Sequence, residues 1–280
     1  MLASRLKAGT AAAAAAGVAG YFSDRRSVYK WTFPSDTVSS GIDLPDRQHG
    51  PGGFADPAVA GYFAEGLGER VLKLAFPSDT VSTTTPLPVY VENTWGFSDP
   101  AVAGYFTGGP FTSDGPFKWA FPSDTVSTTT PAPNMWWLQS DGFADPAVAG
   151  YFSDGSFGGT SHIYKYTFPS DTVSTTTPAP AVIRYNAGFA DPAVAGYFSE
   201  GRRFTSVYKW TFPSDTVSTT TPAPNNMDRH AGFADPAVAG YFSQGNFSTS
   251  VYKWTFPSDT VSTTTPAPNN MENHAGFADA

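Results

Sequence analysis

The sequence predicts an all-β fold of six repeats, and two observations carry this prediction. The motif FPSDTVS occurs six times at spacings of 43 to 47 residues, and the motif AGYF occurs six times in step with it. In SVYKWTF, from Ser206 to Phe212, large aromatic residues recur at every second position, which is typical of strands rather than helices. A period of about 44 residues suits the four-stranded blades of a β-propeller and is too long for a β-helix coil. We therefore expect a six-bladed β-propeller.

Each repeat is interpreted as four strands, named a to d. In one copy, strand a is predicted at His230–Ala234, strand b at Val238–Ser243, strand c at VYKWTF from Val251, and strand d at TVSTTTPAP from Thr260. The a–b and c–d segments both contain Pro and Asp. These residues favour turns, because Pro fixes φ and the Asp side chain bonds nearby backbone amides. Small residues in strands a and b suit the crowded axis, and the aromatic residues of strand c fill the space between blades.

The two ends of the chain predict how the ring closes. The first repeat has Ala12 to Gly17 where other copies have GFADPA, whereas Gly276 to Asp279 supplies a strand a with no strand b after it. We expect the C-terminal strand to complete the first blade, which removes exposed sheet edges. The chain is then a single domain, 1–280, with blades at 11–46 plus 274–280, 47–91, 92–136, 137–182, 183–226 and 227–273.

Composition narrows the function classes. A net charge of −8 argues against nucleic acid, since phosphate binding depends on clustered Lys and Arg. No apolar run approaches the roughly 20 residues of a membrane span, so we expect no membrane insertion. The first residues resemble a signal peptide, but Gly17 to Phe22 already belongs to the repeat. We expect no cofactor.

The strand order resembles the kelch repeat over nearly the whole chain: a Tyr-bearing strand, a loop, a strand with Tyr or Trp, a Pro/Asp turn and a final strand. It is also similar to kelch-like repeat proteins of bacteriophages and environmental bacteria. The double glycine of kelch is complete at Gly108-Gly109, and its second glycine is kept at Gly155, Gly201 and Gly245. The resemblance implies an interaction scaffold, although kelch propellers also include oxidases. A copper radical oxidase site needs a Cys cross-linked to Tyr, and the chain has no Cys.

Three repeated polar positions admit two interpretations each. The aspartates of both turns either form carboxylate rings for Ca²⁺ or stabilise the turns, and we favour the turns because nearly all lie beside a Pro. The strand c lysines either form a cationic ring or pair with a repeated Asp of the same or an adjacent blade, and we favour pairing. His230 and His274 are equivalent, and their spacing does not predict a metal site. The positions are Asp36, Asp79, Asp124, Asp171, Asp215 and Asp259; Asp56, Asp99, Asp145, Asp191, Asp235 and Asp279; and Lys30, Lys73, Lys118, Lys165, Lys209 and Lys253.

Sequence variation predicts the binding face. With alternating strand directions, the nearly invariant a–b and c–d turns share one end of the propeller, and the variable b–c and d–a segments share the other. Loops on a rigid scaffold are where binding residues concentrate. The candidate contacts are the aromatic and guanidinium groups of three consecutive d–a segments, which either bind a ligand or cover the end of the core. They are Tyr90, Trp95, Trp136, Trp137, Arg184 and Tyr185.

We therefore expect a non-enzymatic binding module that uses its variable face, with no catalytic residue. A glycan ligand is slightly preferred, because Trp and Tyr in loops stack on sugars and repeated weak sites gain avidity. The alternative is a protein-interaction or virion-structural scaffold. A third alternative is a hydrolase or lyase with its site in the central channel.

Overall fold

The computed structural model describes residues 19–57, 59–76, 78–107, 116–131, 142–154 and 161–279. These residues form six blades of four antiparallel strands each and contain no helix. The a strands of successive blades are neighbours around a closed circuit, so they surround the axis of the ring. The expected six-bladed β-propeller is confirmed. The described residues accordingly hold no helix long and apolar enough to cross a membrane.

The strands are short and nearly identical from blade to blade. Strands a, starting with the first blade, are Gly276–Ala278, Gly53–Asp56, Trp95–Asp99, Gly142–Asp145, Gly188–Asp191 and Gly232–Asp235. Strands b are Ala19–Ser23, Ala60–Ala64, Ala103–Thr107, Ala149–Ser153, Ala195–Ser199 and Ala239–Ser243. Strands c are Ser27–Thr32, Val71–Ala75, Phe117–Ala120, Ile163–Thr167, Val207–Thr211 and Val251–Thr255. Strands d are Thr37–Val38, Thr80–Thr83, Thr125–Thr128, Thr172–Thr175, Thr216–Thr219 and Thr260–Thr263.

Strand d is shorter than the sequence suggested. In the last blade it ends at Thr263, before Pro266 and Pro268, which cannot donate to a strand ladder. Three further two-residue strands lie in the loops: Ile42–Asp43 extends the first blade, and Leu67–Gly68 pairs with Val91–Glu92.

The C-terminal strand closes the ring. Gly276–Ala278 pairs antiparallel with strand b of the first blade, with Phe277 opposite Tyr21. The Ala19 amide donates to the Asp279 carboxylate at 2.7 Å, and the Asp279 amide donates to the Ala19 carbonyl at 3.1 Å. The first blade is therefore assembled from both ends of the chain, as the sequence predicts.

A phenylalanine of each strand a fills the space left by a glycine in strand b of the next blade. A Cβ atom added to any AGYF glycine would lie 1.9–2.2 Å from the nearest atom of that phenyl ring. The glycine is thus required by a close approach between blades, and not by backbone conformation. The pairs run once around the ring: Phe54 with Gly104, Phe97 with Gly150, Phe143 with Gly196, Phe189 with Gly240, Phe233 with Gly20, and Phe277 with Gly61.

The repeated lysines bridge neighbouring blades. Each strand c lysine ammonium lies 2.7–2.9 Å from a carboxylate oxygen of the c–d turn aspartate in the following blade, and the pair Lys253–Asp36 joins the last blade to the first. Each ammonium also lies 5.1–5.9 Å from the ring centroid of a strand b tyrosine. The predicted pairing across adjacent blades is confirmed, and the alternative of a free cationic ring is wrong.

Both invariant turns lie at one end of the propeller, named here the turn face. In five blades the amide of the c–d turn phenylalanine donates to the carbonyl of the a–b turn valine, for example Phe212 to Val194 at 3.0 Å. The c–d turn aspartates all adopt a left-handed conformation, with φ of 50–54°. This conformation supports the favoured structural role, and their carboxylates also accept hydrogen bonds from lysine and tyrosine side chains, as Asp259 does from Lys209 and Tyr197 of the preceding blade. The b–c loops and the d–a segments lie at the opposite end, the loop face.

Candidate functional site

The axis of the propeller is packed shut by backbone. A Cβ atom on Gly96, Gly188, Gly232 or Gly276 would lie 2.3–2.9 Å from the carbonyl oxygen of the preceding strand a glycine. Side chains are therefore excluded where these strands meet. On the turn face the axis opens only into a shallow depression of about 170 Å³, lined mainly by the Gly, Phe, Ala and Pro residues of strands a and their turns.

A second cavity opens on the loop face, and its lining comes from around the ring. This axial pocket has a volume of about 270 Å³. Its floor and rim include Gly50 and Leu67, and the polar side chains that line it are Arg25, His49, Asn93, Tyr185, Arg229 and Asn273. Small-molecule sites are typically concave and about 300–1,000 Å³, so the axial pocket suits a small ligand.

One backbone position recurs around the pocket. It is the third residue before the GF(A/S)D glycine of strand a, named here the axial position, and five of its six copies line the pocket with φ between 48° and 60°. Non-glycine residues seldom adopt this left-handed conformation, so its recurrence shows one fixed turn geometry. The five are Gly50, Asn93, Tyr185, Arg229 and Asn273; Gln139 has the corresponding sequence position and lies outside the described residues.

Glycines of the b–c loops hold this turn in place. Gly66, Gly201 and Gly245 have φ of 65–81°, and an added Cβ would lie 1.8–2.0 Å from the carbonyl oxygen of the residue just before the axial position. Gly201 and Gly245 are two of the glycines on which the kelch resemblance rests, and Gly108, Gly109 and Gly155 lie outside the described residues. Glycine is required at these positions for two reasons: the backbone has a positive φ, and the d–a segment approaches too closely for a side chain.

Two arginines in the pocket share one buried carboxylate. The Arg25 and Arg229 guanidinium groups each lie 2.8 Å from a different oxygen of Glu272, whose side chain is only 7% exposed. The Arg229 guanidinium also lies 5.1 Å from the centroid of the Tyr185 ring. Burial acts to lower the pKa of Arg229, but contacts with Glu272 and Tyr185 outweigh it and raise that pKa. Glu272 thus fixes both guanidinium groups, and the nearby Asp228 carboxylate also interacts with Arg229.

Two buried histidines connect d–a segments to strand b of the preceding blade. His230 and His274 directly follow axial positions, and their Nε2 atoms lie 2.5 Å from the hydroxyls of Ser199 and Ser243 in the preceding blades. In the fifth blade Asn186 takes the same place and lies 3.1 Å from Ser153. Burial lowers the pKa of both histidines to about 3, so they are neutral structural groups.

The six sequence-predicted contacts have different environments. Tyr185 lines the axial pocket. Tyr90 is on the loop face and 50% exposed, but does not line that pocket. Trp95 is 2% exposed in a core cluster with Phe97 and Tyr105, and Arg184 is 8% exposed. Trp136 and Trp137 lie outside the described residues.

Sequence reasoning missed Arg25, His49, Asn93, Arg229 and Asn273 as pocket residues. Aligning the repeats on GF(A/S)D would have shown that one position before strand a changes from copy to copy: Gly, Asn, Gln, Tyr, Arg, Asn. That variation beside an invariant motif is the signal. Within the described ranges, no three His, Asp or Glu side chains form a group that could hold a metal ion.

No protein-family model matches the chain, and no curated protein sequence matches it.

Proposed function

We propose that the protein is a non-enzymatic binding module that holds a glycan in the axial pocket of its loop face. The observation that carries the proposal is the axial position, where one fixed backbone geometry presents the side chains of Asn93, Tyr185, Arg229 and Asn273 to a common cavity, with Gly50 at the fifth position. Side-chain variation in the cavity lining of a rigid scaffold is typical of a binding site. Amide, imidazole and phenol groups bond sugar hydroxyls, and a tyrosine ring supplies an apolar surface.

The turn end of the axis favours binding over catalysis. The hydrolase or lyase alternative needs acid and base groups in the channel, whereas the described lining there consists of Gly, Phe, Ala, Pro and one Ser. The positive-φ glycines that position the d–a segments support a further proposal, that the repeats are of the kelch-like type.

A glycan array tests the proposal. We expect the purified protein to retain a subset of sugars, and Tyr185→Ala to lose them while melting cooperatively. Tyr90→Ala is the matched control, since Tyr90 is an exposed tyrosine of the same face outside the pocket. Retention unchanged in Tyr185→Ala and lost in Tyr90→Ala or in Trp136→Ala/Trp137→Ala would move the site out of the axial pocket. No retention of any sugar by the unaltered protein would refute the glycan ligand.

A protein-interaction or virion-structural scaffold is the second candidate, and one observation favours it. The a–b turns expose a ring of valines on the turn face, each 41–54% exposed: Val59, Val102, Val148, Val194 and Val238. Repeated apolar side chains at one end of a propeller suit a protein contact. Sedimentation of the protein beside a Val102→Ser/Val194→Ser variant tests this, since a scaffold assembling through this face forms stable oligomers that the variant lacks.

A further inference from the structure

The inference concerns the chemical class of the ligand and rests on the proposed function. It begins with the distribution of cations. The six repeated lysines are all paired with aspartates between blades. All the arginines in the described part of the chain lie instead in b–c loops or d–a segments of the loop face: Arg25, Arg26, Arg47, Arg70, Arg184, Arg202, Arg203 and Arg229.

Not all of these arginines are available to a ligand. Arg70, for example, pairs with Asp46 and Glu65 on the same face. The axial pocket differs, because the described part of its lining contains Arg25 and Arg229 and no carboxylate. Glu272 contacts both guanidinium groups and lines the neighbouring cavity, and the Asp228 carboxylate interacts with Arg229 as well as with Arg202 and Arg203.

The two guanidinium groups keep donors for a ligand. Their side chains are 39% and 40% exposed, although each contacts Glu272. A guanidinium carries five N–H donors in a planar fork that matches a carboxylate. Because Glu272 holds both side chains, a ligand carboxylate meets a preorganised cation pair, which lowers the entropic cost of binding.

The rest of the lining matches a polyhydroxylated molecule. Asn93 and Asn273 offer amide donors and acceptors, and His49 is exposed at the rim. Beside the pocket a second cavity of about 580 Å³ also uses Arg25; its lining adds Arg26, Arg47, Asn269 and Asn270, together with the carboxylates of Asp24 and Glu272. Because both cavities are lined by Arg25, they are neighbours, and a second sugar unit of the same ligand would extend from the axial pocket into the second cavity.

We propose that the axial pocket binds a carboxylated sugar, such as a uronic acid, with its carboxylate on Arg25 and Arg229 and its hydroxyls on Asn93 and Asn273. Charge-assisted contacts of this kind strengthen binding, so the acid form binds at least about tenfold more tightly than its neutral counterpart. The preference decreases as salt is added, because the guanidinium groups are partly exposed.

The test is calorimetry with matched pairs: galacturonic acid trimer against its methyl ester, and glucuronic acid against glucose. We expect binding of the acids, loss of the acid preference in Arg25→Gln/Arg229→Gln, and no change in Arg70→Gln, a control arginine on the same face. Glu272→Gln is the second variant. Its amide oxygen still accepts a hydrogen bond from a guanidinium group, so much of the preorganisation is kept, while the competing negative charge is removed; acid binding is expected to strengthen, which a purely structural role for the cluster would not produce.

The outcomes separate the two proposals. Equal binding of acid and neutral sugars, abolished by Tyr185→Ala, would refute the acidic ligand and leave the glycan module standing. Binding of no sugar in either form would refute both. An acidic peptide that binds where every sugar fails would likewise overturn both and assign the cation pair to a protein ligand.

Discussion

The buried histidines predict a specific loss of stability in mild acid. His230 and His274 are each 2% exposed, and burial lowers their pKa values from about 6.5 to about 3. A group whose pKa is lower in the folded state stabilises the fold above its unfolded pKa. That contribution decreases as the pH falls from 6.5 towards 3, because the two histidines bind protons in the unfolded chain but stay neutral in the folded protein.

The magnitude follows from the difference between the two pKa values. One pKa unit corresponds to about 1.4 kcal/mol, so each histidine removes about 2 kcal/mol from the free energy of unfolding between pH 7 and pH 5. The two together remove about 4 kcal/mol. Carboxylates titrate too, so the histidine contribution must be isolated by a variant that shares all of them.

The chain itself supplies the control. Asn186 takes the equivalent place in the fifth blade, is 2% exposed and contacts Ser153 in the same manner. We expect His230→Asn/His274→Asn to be less stable than the unaltered protein at pH 7 but to lose about 4 kcal/mol less on acidification to pH 5. Guanidinium unfolding monitored by tryptophan fluorescence at both pH values measures the difference. Parallel losses in the two proteins would refute the burial argument.

Two further predictions concern the interfaces between blades. Gly150→Ala places a Cβ atom 2.2 Å from the Phe97 ring, and we expect the overpacking to lower the free energy of unfolding by about 1–3 kcal/mol; an unchanged melting temperature would contradict this. Phe277→Ala removes the ring that packs from the C-terminal strand onto the second blade, and we expect a loss of about 3–5 kcal/mol. Phe189→Ala makes the equivalent change inside an uninterrupted stretch of chain. Calorimetric melting of both variants should show similar losses if the closing strand is as firmly held as the others, and a much smaller loss in Phe277→Ala would show that it is not.

The sequence was sufficient to predict the architecture, because each motif occurs once in every blade and has the same structural role each time. Aromatic residues at every second position indicated the strands, and the intact strand a at the C-terminus indicated how the ring closes. The cost of burying an unpaired lysine between blades indicated that each lysine pairs with an Asp. The AGYF glycine was misjudged, since its role comes from Phe97 or its equivalents in a different blade. No local rule of composition reveals a contact between residues about 50 positions apart.

The site was harder to predict because consecutive residues of a d–a segment have different environments. Arg184, Tyr185 and Asn186 are consecutive, yet only Tyr185 lines the pocket. Its φ of 51° turns the chain so that its two neighbours are buried. Arg229 was overlooked for the same reason, since it has the equivalent position in a segment that contains no aromatic residue. Comparing the six repeats position by position recovers what reading each loop by residue type could not.

The axial position also predicts that binding and stability separate at Tyr185. A left-handed conformation is unfavourable for most residues, but Asn tolerates it, and Asn93 and Asn273 already adopt it at equivalent positions. We therefore expect Tyr185→Asn to change the free energy of unfolding by less than about 1 kcal/mol, because the relief of backbone strain offsets the lost contact with Arg229. The same variant should lose glycan retention, since the aromatic surface of the pocket is gone. A destabilisation of several kcal/mol in guanidinium unfolding would instead make Tyr185 a core residue. The variation at the axial position would then reflect packing, and the pocket would no longer have the freedom to vary that a binding site on a fixed scaffold requires.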